Sequence, residues 1–415
     1  MKVCCLTLGC KVSQYETQSI AKQFADLGYE ITYNLEPADV YVINTCAVTN
    51  EAQKKSRQMV SKARKQNLKA KFLVCGCASQ NISQDFIGEN TVVIGTQNKS
   101  KIINLLEKSG VFTQEISTAY ENLSKTIPEH TRAYIKIQDG CNNFCSYCLI
   151  PYVRGRSRSR DIQSIVTEAY ELSNTAKEIV IVGINVSDYK IDNKLALSQL
   201  VLALKDVPSR FRFGSLEVNV VTEEFLKALK TAKNFAPHFH LSMQSGSNQV
   251  LKDMNRKYTK EEYLEKVKLI RSFFPNACIT TDVIVGFPTE TQELFEETVE
   301  TIKQADFYNM HIFTYSAREG TVASKKYNML NGTITKQRQK QLEEINQKLG
   351  AKYLNKQINK TLEFLLEEQN ENFFIGRSEN YLKVYMPKTN DIKPNTLYKV
   401  KILGLLNDGL IAEKL

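Results

Sequence analysis

The chain has 415 residues, 42% of them apolar and 24% charged, with ten cysteines and a formal net charge of +10. This is the composition of a folded globular chain of about three domains, and it excludes a disordered, collagenous or small disulfide-stapled protein. No apolar run is long enough to cross a bilayer and no secretory leader is visible, so reduced cysteines in a cytoplasmic protein without a membrane partner are expected; the positive balance fits a nucleic-acid partner without requiring one.

The first third repeats one pattern three times: an apolar run ends at a cysteine, and a helix signal follows. Residues 1–8 run into Gly9-Cys10, after which Ser13-Gln14-Tyr15-Glu16 reads as a capping box. Residues 40–43 run into Asn44-Thr45-Cys46, with Thr49 or Asn50 as the next cap, and residues 72–74 run into Cys75-Gly76-Cys77. Strands alternating with helices make a parallel sheet, and such sheets hold ligands outside the carboxyl ends of their strands. Cys10, Cys46 and Cys77 would then gather on one edge as a three-thiolate site, with Cys75 competing for the third place. The plainer alternative is three unrelated core thiols, since free cysteine packs as a small hydrophobe. Cys4 and Cys5, in mid-strand, read as packing. A helix carrying Lys54, Lys55, Arg57, Lys62, Arg64, Lys65, Lys69 and Lys71 is either a solvated face or a phosphate contact. A helix signal at 101–108 and a polar connection lead to a domain boundary near 124–130.

Strands and helices then alternate again. Strands are expected at 133–137, 178–182, 212–217, 238–243, 278–285 and 308–313, with helices between them at, for instance, 162–172, 222–230, 260–273 and 290–304. Six such units make a partial barrel, whose functional groups sit on loops at the carboxyl ends of the strands. The loop after the first strand reads Cys141-Asn142-Asn143-Phe144-Cys145-Ser146-Tyr147-Cys148. A 4Fe–4S cube has four irons, so three local thiolates leave one iron open to bind a substrate. Structural zinc would want four closed ligands, and no Cys or His follows within the next dozen residues. Gly183, Asn185, Glu217, Gln244 and Asp282 fall in or at the ends of the later strands. A carboxylate there is costly unless it meets a ligand's ammonium or ribose, or an arginine. Arg154, Arg156, Arg158 and Arg160 follow the cysteine loop at once. Beside an open iron they point to an anionic substrate, because guanidinium grips carboxylate or phosphate in a fork.

A long helix at 336–352 leads to five short strand signals, at 362–366, 373–377, 382–386, 398–402 and 409–412, separated by Asn, Gly and Pro turns. They suggest a small β-barrel, a fold that grips RNA in some proteins and protein in others.

Taken together, these residues make the chain similar from end to end to the radical S-adenosylmethionine methylthiotransferase family. The likeness is carried by Leu8-Gly9-Cys10-Lys11-Val12, Asn44-Thr45-Cys46-Ala47-Val48-Thr49, Gly76-Cys77-Ala78-Ser79-Gln80, the cysteine loop, and residues 151–160, 240–247 and 282–288. Leu-Gly-Cys-Lys-Val followed by Gln14-Tyr15-Glu16 resembles the branch acting on N6-threonylcarbamoyladenosine beside the tRNA anticodon. One departure is Lys190 after Tyr189, where the family usually has glycine.

The resemblance implies an α/β chain in three parts. Residues 1–125 would be a parallel-sheet domain with an auxiliary 4Fe–4S cluster on Cys10, Cys46 and Cys77. Residues 126–352 would be a partial (β/α)6 barrel with a radical-generating cluster on Cys141, Cys145 and Cys148. Residues 353–415 would be a small antiparallel TRAM barrel that binds RNA. Two equivalents of S-adenosylmethionine are implied. One is cleaved to methionine and a 5′-deoxyadenosyl radical, which takes hydrogen from C2 of the modified adenine at position 37. The other supplies the methyl of the methylthio group, whose sulfur comes from the auxiliary cluster. Tyr147, Gly183, Asn185, Glu217, Gln244 and Asp282 are expected around S-adenosylmethionine, and Arg154, Arg156 and Arg158 on the anions of the substrate. The expected partners are the tRNA anticodon stem-loop and a reductase or flavodoxin-type electron donor. Two rival readings are the same chemistry on another tRNA adenosine or a ribosomal protein, and a non-catalytic iron–sulfur RNA-binding module.

Overall fold

The computed structural model describes residues 1–415 except 124, 130, 390 and 391. Residues 124 and 130, the two ends of the expected first boundary, therefore lie outside the described residues. No helix among the described residues is long and apolar enough to cross a membrane.

Six parallel strands form the first sheet, in the order Glu30–Thr32, Lys2–Thr7, Val40–Thr45, Lys71–Gly76, Thr91–Val93 and Gly110–Val111. Val40–Thr45 is buried at every position, as a strand covered on both faces should be. The strand order reverses between Lys2–Thr7 and Val40–Thr45, and open α/β sheets hold their ligands at such a switch point. Helix Lys11–Asp26 begins sooner than the expected capping box, with Cys10 as its N-cap. Ser13 and Glu16 are thereby inside the helix, and Glu16 is committed to buried ion pairs instead of a cap. Thr49 does cap helix Asn50–Gln66, its hydroxyl accepting from the Ala52 N–H at 3.1 Å. Only Ser56, Val60 and Ala63 of that helix are buried; Lys54, Lys55, Arg57, Lys62 and Lys65 face outward, and Arg64 turns in to the Phe86 and Ile87 carbonyls. Lys69 and Lys71 lie beyond the helix end at Gln66, Lys71 opening the next strand.

An open arc of seven parallel strands, in two sheets, follows. One half holds Arg132–Asp139, Glu178–Gly183 and Arg210–Phe213, with the short Arg158–Ser159 antiparallel at its edge. The other half holds Ser215–Leu216, His238–Leu241, Cys278–Val285 and Asn309–Thr314. The strand expected at 212–217 is thus split. Gly214 donates its N–H to Ile181 at 2.8 Å, and the residues after it join the next strand; a glycine in a strand favours such a bend. Helices Ile162–Ser173, Leu197–Leu204, Glu223–Thr231, Lys260–Phe273 and Gln292–Ala305 contribute to the largest apolar cluster, which also includes Ile135, Phe213, Phe239 and Ile279 from the strands.

Helix Gly332–Asn355 leads to a closed barrel in the order Thr361–Gln369, Phe373–Ser378, Lys383–Pro387, Gly409–Lys414 and Leu397–Leu406. Its pairs are antiparallel except Lys383–Pro387 with Gly409–Lys414. Cys278 shares its core, so this small barrel leans on the strand arc.

Two buried ion networks join the three parts. Glu16 meets Lys99, Lys136 and Arg154 at 3.2, 2.8 and 2.8 Å, and Asp139 meets Lys136, Arg154 and Arg158 at 2.6, 3.1 and 3.4 Å. On the other side, Glu178 binds Arg210 and Arg212, Arg210 reaches Glu363 at 3.2 Å, and Arg132 reaches Glu367 at 2.7 Å.

Candidate active site

The cysteine loop is fixed by its neighbours rather than by secondary structure. The Cys141 N–H donates to Gly155 and the Ser146 N–H to Met254, each at 3.0 Å, while the Ala323 N–H donates to the Ser146 carbonyl at 2.7 Å. Phe144 is left-handed, at φ +49, and the Asn255 amide pins that turn by donating to the carbonyls of Asn143 and Phe144. Each thiol also receives an N–H. Asn143 donates to Cys141 at 3.5 Å, Ile150 to Cys148 at 3.4 Å, and the Arg256 guanidinium to Cys145 at 3.4 Å. Arg256 is held in turn by Glu217 at 3.0 Å, and Glu217 accepts from the Asn143 amide at 2.7 Å. Burial pushes the Cys148 thiol up to about 12 and Cys141 up to about 11. A cation is therefore needed to draw the protons off, which metal ligation does. Three unpaired thiols with N–H donors aimed at sulfur suit an iron–sulfur cluster.

Cys10, Cys46 and Cys77 each follow a different strand of the first sheet, and the register Thr7↔Asn44 and Thr45↔Gly76 sets those strand ends level. They lie at the switch point and near enough that charge on Cys77 or Cys10 acts on Cys46, whose thiol burial already pushes up to about 11. Cys75 is fully buried and packs with Val3, Cys5 and Leu73, in a different apolar cluster from Cys77. Gly76 is at φ +108, where an added Cβ would stand 2.5 Å from the Asn44 side chain and the Thr45 carbonyl, so the bend that brings Cys77 to the edge requires glycine.

The arginine run does not reach outward as expected. Arg154 is 0% exposed; its guanidinium is consumed by Glu16 and Asp139, and its Nε–H donates to Cys77 at 3.2 Å. Arg158 is also buried, bonded to Asp139 and to the carbonyls of Arg154 and Arg156. Two nearby carboxylates claim these charges before any substrate can. Arg156 is exposed, with its guanidinium 4.2 Å above the Phe144 ring.

Three cavities meet here. The first, about 240 Å³, is lined by Tyr147, Gln244, Asp282 and Tyr315, together with Val48 and Thr49 from the loop after Cys46. Gln244 is left-handed at φ +65, held there by backbone bonds to Asp282 and Ile284 at 2.8 Å, a strained geometry of the kind that marks ligand clamps. The second, about 410 Å³, shares Asp282 with the first and is also lined by Lys11, Arg132, Arg212, His238 and Tyr381. The third, beside Cys10, shares Lys11, Arg132 and Tyr381 with the second. Of the residues expected around S-adenosylmethionine, Tyr147, Gln244 and Asp282 line the first cavity. Glu217 sits against the cysteine loop, Asn185 lies 3.9 Å from the Cys141 sulfur, and Gly183 lines the cavity of Cys10. Asp282 is gripped by His240 at 3.1 Å and His311 at 3.4 Å; although burial works against it, these bonds hold its carboxyl well below the usual range.

Sequence reasoning missed Arg256, Arg132, Arg212, the two histidines and Tyr381. The alternation His238-Phe239-His240-Leu241 was a usable signal for an inward-facing histidine pair; nothing local marks Tyr381. The stretch 313–321, unread in the sequence, forms a latch. Arg318 bonds the side chains of Asn50 and Gln53, and Asn50 donates to the Ala317 carbonyl at 2.9 Å.

Residues 135–302 match the Radical SAM superfamily, and residues 2–95 match the uncharacterized protein family UPF0004. The chain is 38% identical to the threonylcarbamoyladenosine tRNA methylthiotransferase MtaB of Bacillus subtilis (strain 168), over 96% of this chain and 92% of that one. It is 37% identical to the protein of the same name from Chlamydia pneumoniae, over 98% and 96%. To a tRNA-2-methylthio-N(6)-dimethylallyladenosine synthase of Alkaliphilus oremlandii (strain OhILAs) it is 34% identical, over 90% and 84%. Among solved structures, the radical S-adenosylmethionine methyltransferase TsrM from Kitasatospora setae shares the fold at a TM-score of 0.56 and 14% identity, covering 78% of this chain and 77% of that one.

Proposed function

This chain belongs to the methylthiotransferase family, in its threonylcarbamoyladenosine branch, and from that premise we propose that it methylthiolates C2 of N6-threonylcarbamoyladenosine at position 37 of tRNA, using two 4Fe–4S clusters. The observation that carries this reading is the shared walls of the three cavities. Asp282 joins the space beside Tyr147 and the cysteine loop to the central chamber, and Lys11, Arg132 and Tyr381 join that chamber to the space beside Cys10. A nucleoside in the chamber has one thiol triad on each side.

S-adenosylmethionine and the clusters supply the radical, sulfur and methyl chemistry; the protein holds, orients and shields. Cys141, Cys145 and Cys148 are the ligands of the radical-generating cluster, and Cys10, Cys46 and Cys77 those of the other. Arg256, set by Glu217, and Arg154, set by Glu16, each lay a positive charge against one triad. Tyr147 offers an aromatic wall, and Gln244, held in its strained turn, lines the same cavity. The Arg318 latch closes the 48–50 loop over the mouth, which keeps water out. Arg156 is the arginine of the run left for RNA phosphate. Residues 1–125 would hold the cluster that supplies sulfur, 126–352 the cluster that serves radical formation, and 353–415 grip the anticodon stem-loop. The work takes place in the cytoplasm with a reductase or flavodoxin-type donor.

Mass spectrometry of total tRNA from a strain lacking the protein tests the reading. Loss of the 2-methylthio form with N6-threonylcarbamoyladenosine retained is the expected result. Loss of methylthiolation on isopentenyladenosine instead would move the chain to the sister branch, and an unchanged tRNA profile would overturn the proposal.

A further inference from the structure

We infer that the central chamber receives the free carboxylate of the threonylcarbamoyl group, so that Arg212 and Arg377 select the substrate nucleoside by its charge. The inference deepens the reading above and rests on it for the identity of the nucleoside.

Arg212 is 2% exposed and lines the chamber. Its Nε and Nη2 are spent on Glu178, each at 2.7 Å, but its Nη1 has no hydrogen-bond partner. His238, 6% exposed in the same wall, shares one ring nitrogen with Thr280 at 2.9 Å and leaves Nδ1 unmatched. Buried polar atoms are nearly always paired, so two orphans in one wall ask for a polar ligand, and the guanidinium asks for an acceptor. Arg377 lines the same chamber and has no carboxylate within 4.0 Å among the described residues. Arg132, Arg212 and Arg377 place their guanidiniums 5.2, 4.8 and 5.0 Å from the Tyr381 ring, which stacks on His238 at 4.7 Å. Tyr381 sits at φ +70 in the turn before strand Lys383–Pro387, so the C-terminal barrel itself furnishes part of the chamber.

The acceptor is better supplied by a base substituent than by a phosphodiester. Phosphate brings the strand with it and cannot follow Arg212 into a closed wall, whereas a group projecting from N6 can. Asp282 sets the direction. It lies four residues past Cys278, the register partner of His238, and its charge repels an anion toward the Arg212 end. A neutral isopentenyl group gains nothing from these cations and must strip their water, so the same wall rejects it.

The test uses the full chain, without air or reductant, and two synthetic anticodon stem-loops. One carries N6-threonylcarbamoyladenosine at position 37, and the other its threonine methyl ester, which removes the charge and adds one methyl group. Wild type should bind the acid about ten- to hundredfold more tightly than the ester, as one or two charged hydrogen bonds imply. Arg212→Gln and Arg377→Gln should each erase much of that preference while leaving the affinity for the ester in place. Should Arg212→Gln fail to fold because Glu178 loses its partner, Arg377→Gln and the wild-type comparison still decide. Equal wild-type affinity for acid and ester would overturn the inference, as would variants that weaken both stem-loops alike, which is the behaviour of a phosphate contact. If wild type prefers the acid but methylthiolates neither RNA under reductant, the chamber assignment stands and the activity reading fails.

Discussion

The two cysteine triads present the same three sulfurs on opposite kinds of scaffold. Cys141, Cys145 and Cys148 belong to one loop of eight residues, so their spacing is set by the chain itself, while Asn255 and Arg256 brace the loop from outside. Cys10, Cys46 and Cys77 come from three strand ends, and their geometry is set by sheet register and by the glycine bend at Gly76. An arginine stands at each. Arg256 answers to the half-buried Glu217, whereas Arg154 is locked into a fully buried network with Glu16 and Asp139. A triad on one loop keeps its thiols neighbours through the chain alone; a dispersed one is brought together only by the fold.

Removing one ligand from each triad should break that comparison most sharply. Cys145→Ala should abolish both 5′-deoxyadenosine and methylthiolated product. Cys46→Ala should still release 5′-deoxyadenosine, seen by chromatography after anaerobic reduction, yet form no product. Full product from Cys46→Ala would mean that the dispersed triad delivers no sulfur.

The arginines come next. Arg154→Met takes one of the two cations shared by the buried Glu16 and Asp139, leaving Lys136 to serve both, a loss of about 3 kcal/mol of folding stability. Arg256→Met should cost about 1–3 kcal/mol, because Glu217 keeps the Asn143 amide and some water. Denaturant unfolding of the two variants checks the order, and equal losses would erase the distinction between the triads.

A carboxylate remote from both triads provides a control. Burial alone would raise the Glu178 pKa, but Arg212 and Arg210, with Arg132 beyond, hold it at about 2, below its ordinary 4.5. The folded-state value is depressed, so this contribution is complete above about pH 4.5 and is lost as pH falls toward about 2. Glu363 and Glu367, which share the arginines, face the same group. Thermal melts across that window should show a shallower acid slope for Glu178→Gln than for wild type.

The smallest effect concerns the surfaces beside the triads. Replacing Lys62 and Lys65 by glutamine on the exposed face of helix Asn50–Gln66 should make the log–log salt dependence of tRNA binding shallower by about 1.5. An unchanged slope would make that face a solvated surface.

What could be read in the sequence follows the same division between local and dispersed. The loop triad is visible as one octet. The edge position of Cys10, Cys46 and Cys77 is legible because βα alternation is a local rhythm whose topology is nearly forced. The misread residues depend on distant partners. Arg154 looked free because Glu16 is far off in the sequence, and the Ser13–Glu16 pattern suggested a cap because nothing in it shows that Cys10 already starts the helix. The break at Gly214 and the place of Tyr381 are set by how the strand arc curves and where the small barrel docks, and neither leaves a periodicity to detect.

The latch from Arg318 to Asn50 and Gln53 works like the set-screw of a caliper. It fastens the helix that follows Cys46 to the rim that carries Tyr315, and so, on the proposed chemistry, would fix the gap between the two triads. With the screw loosened, the radical is still struck but the jaws no longer meet, and wasted S-adenosylmethionine per methylthio group made becomes the gauge of the slack.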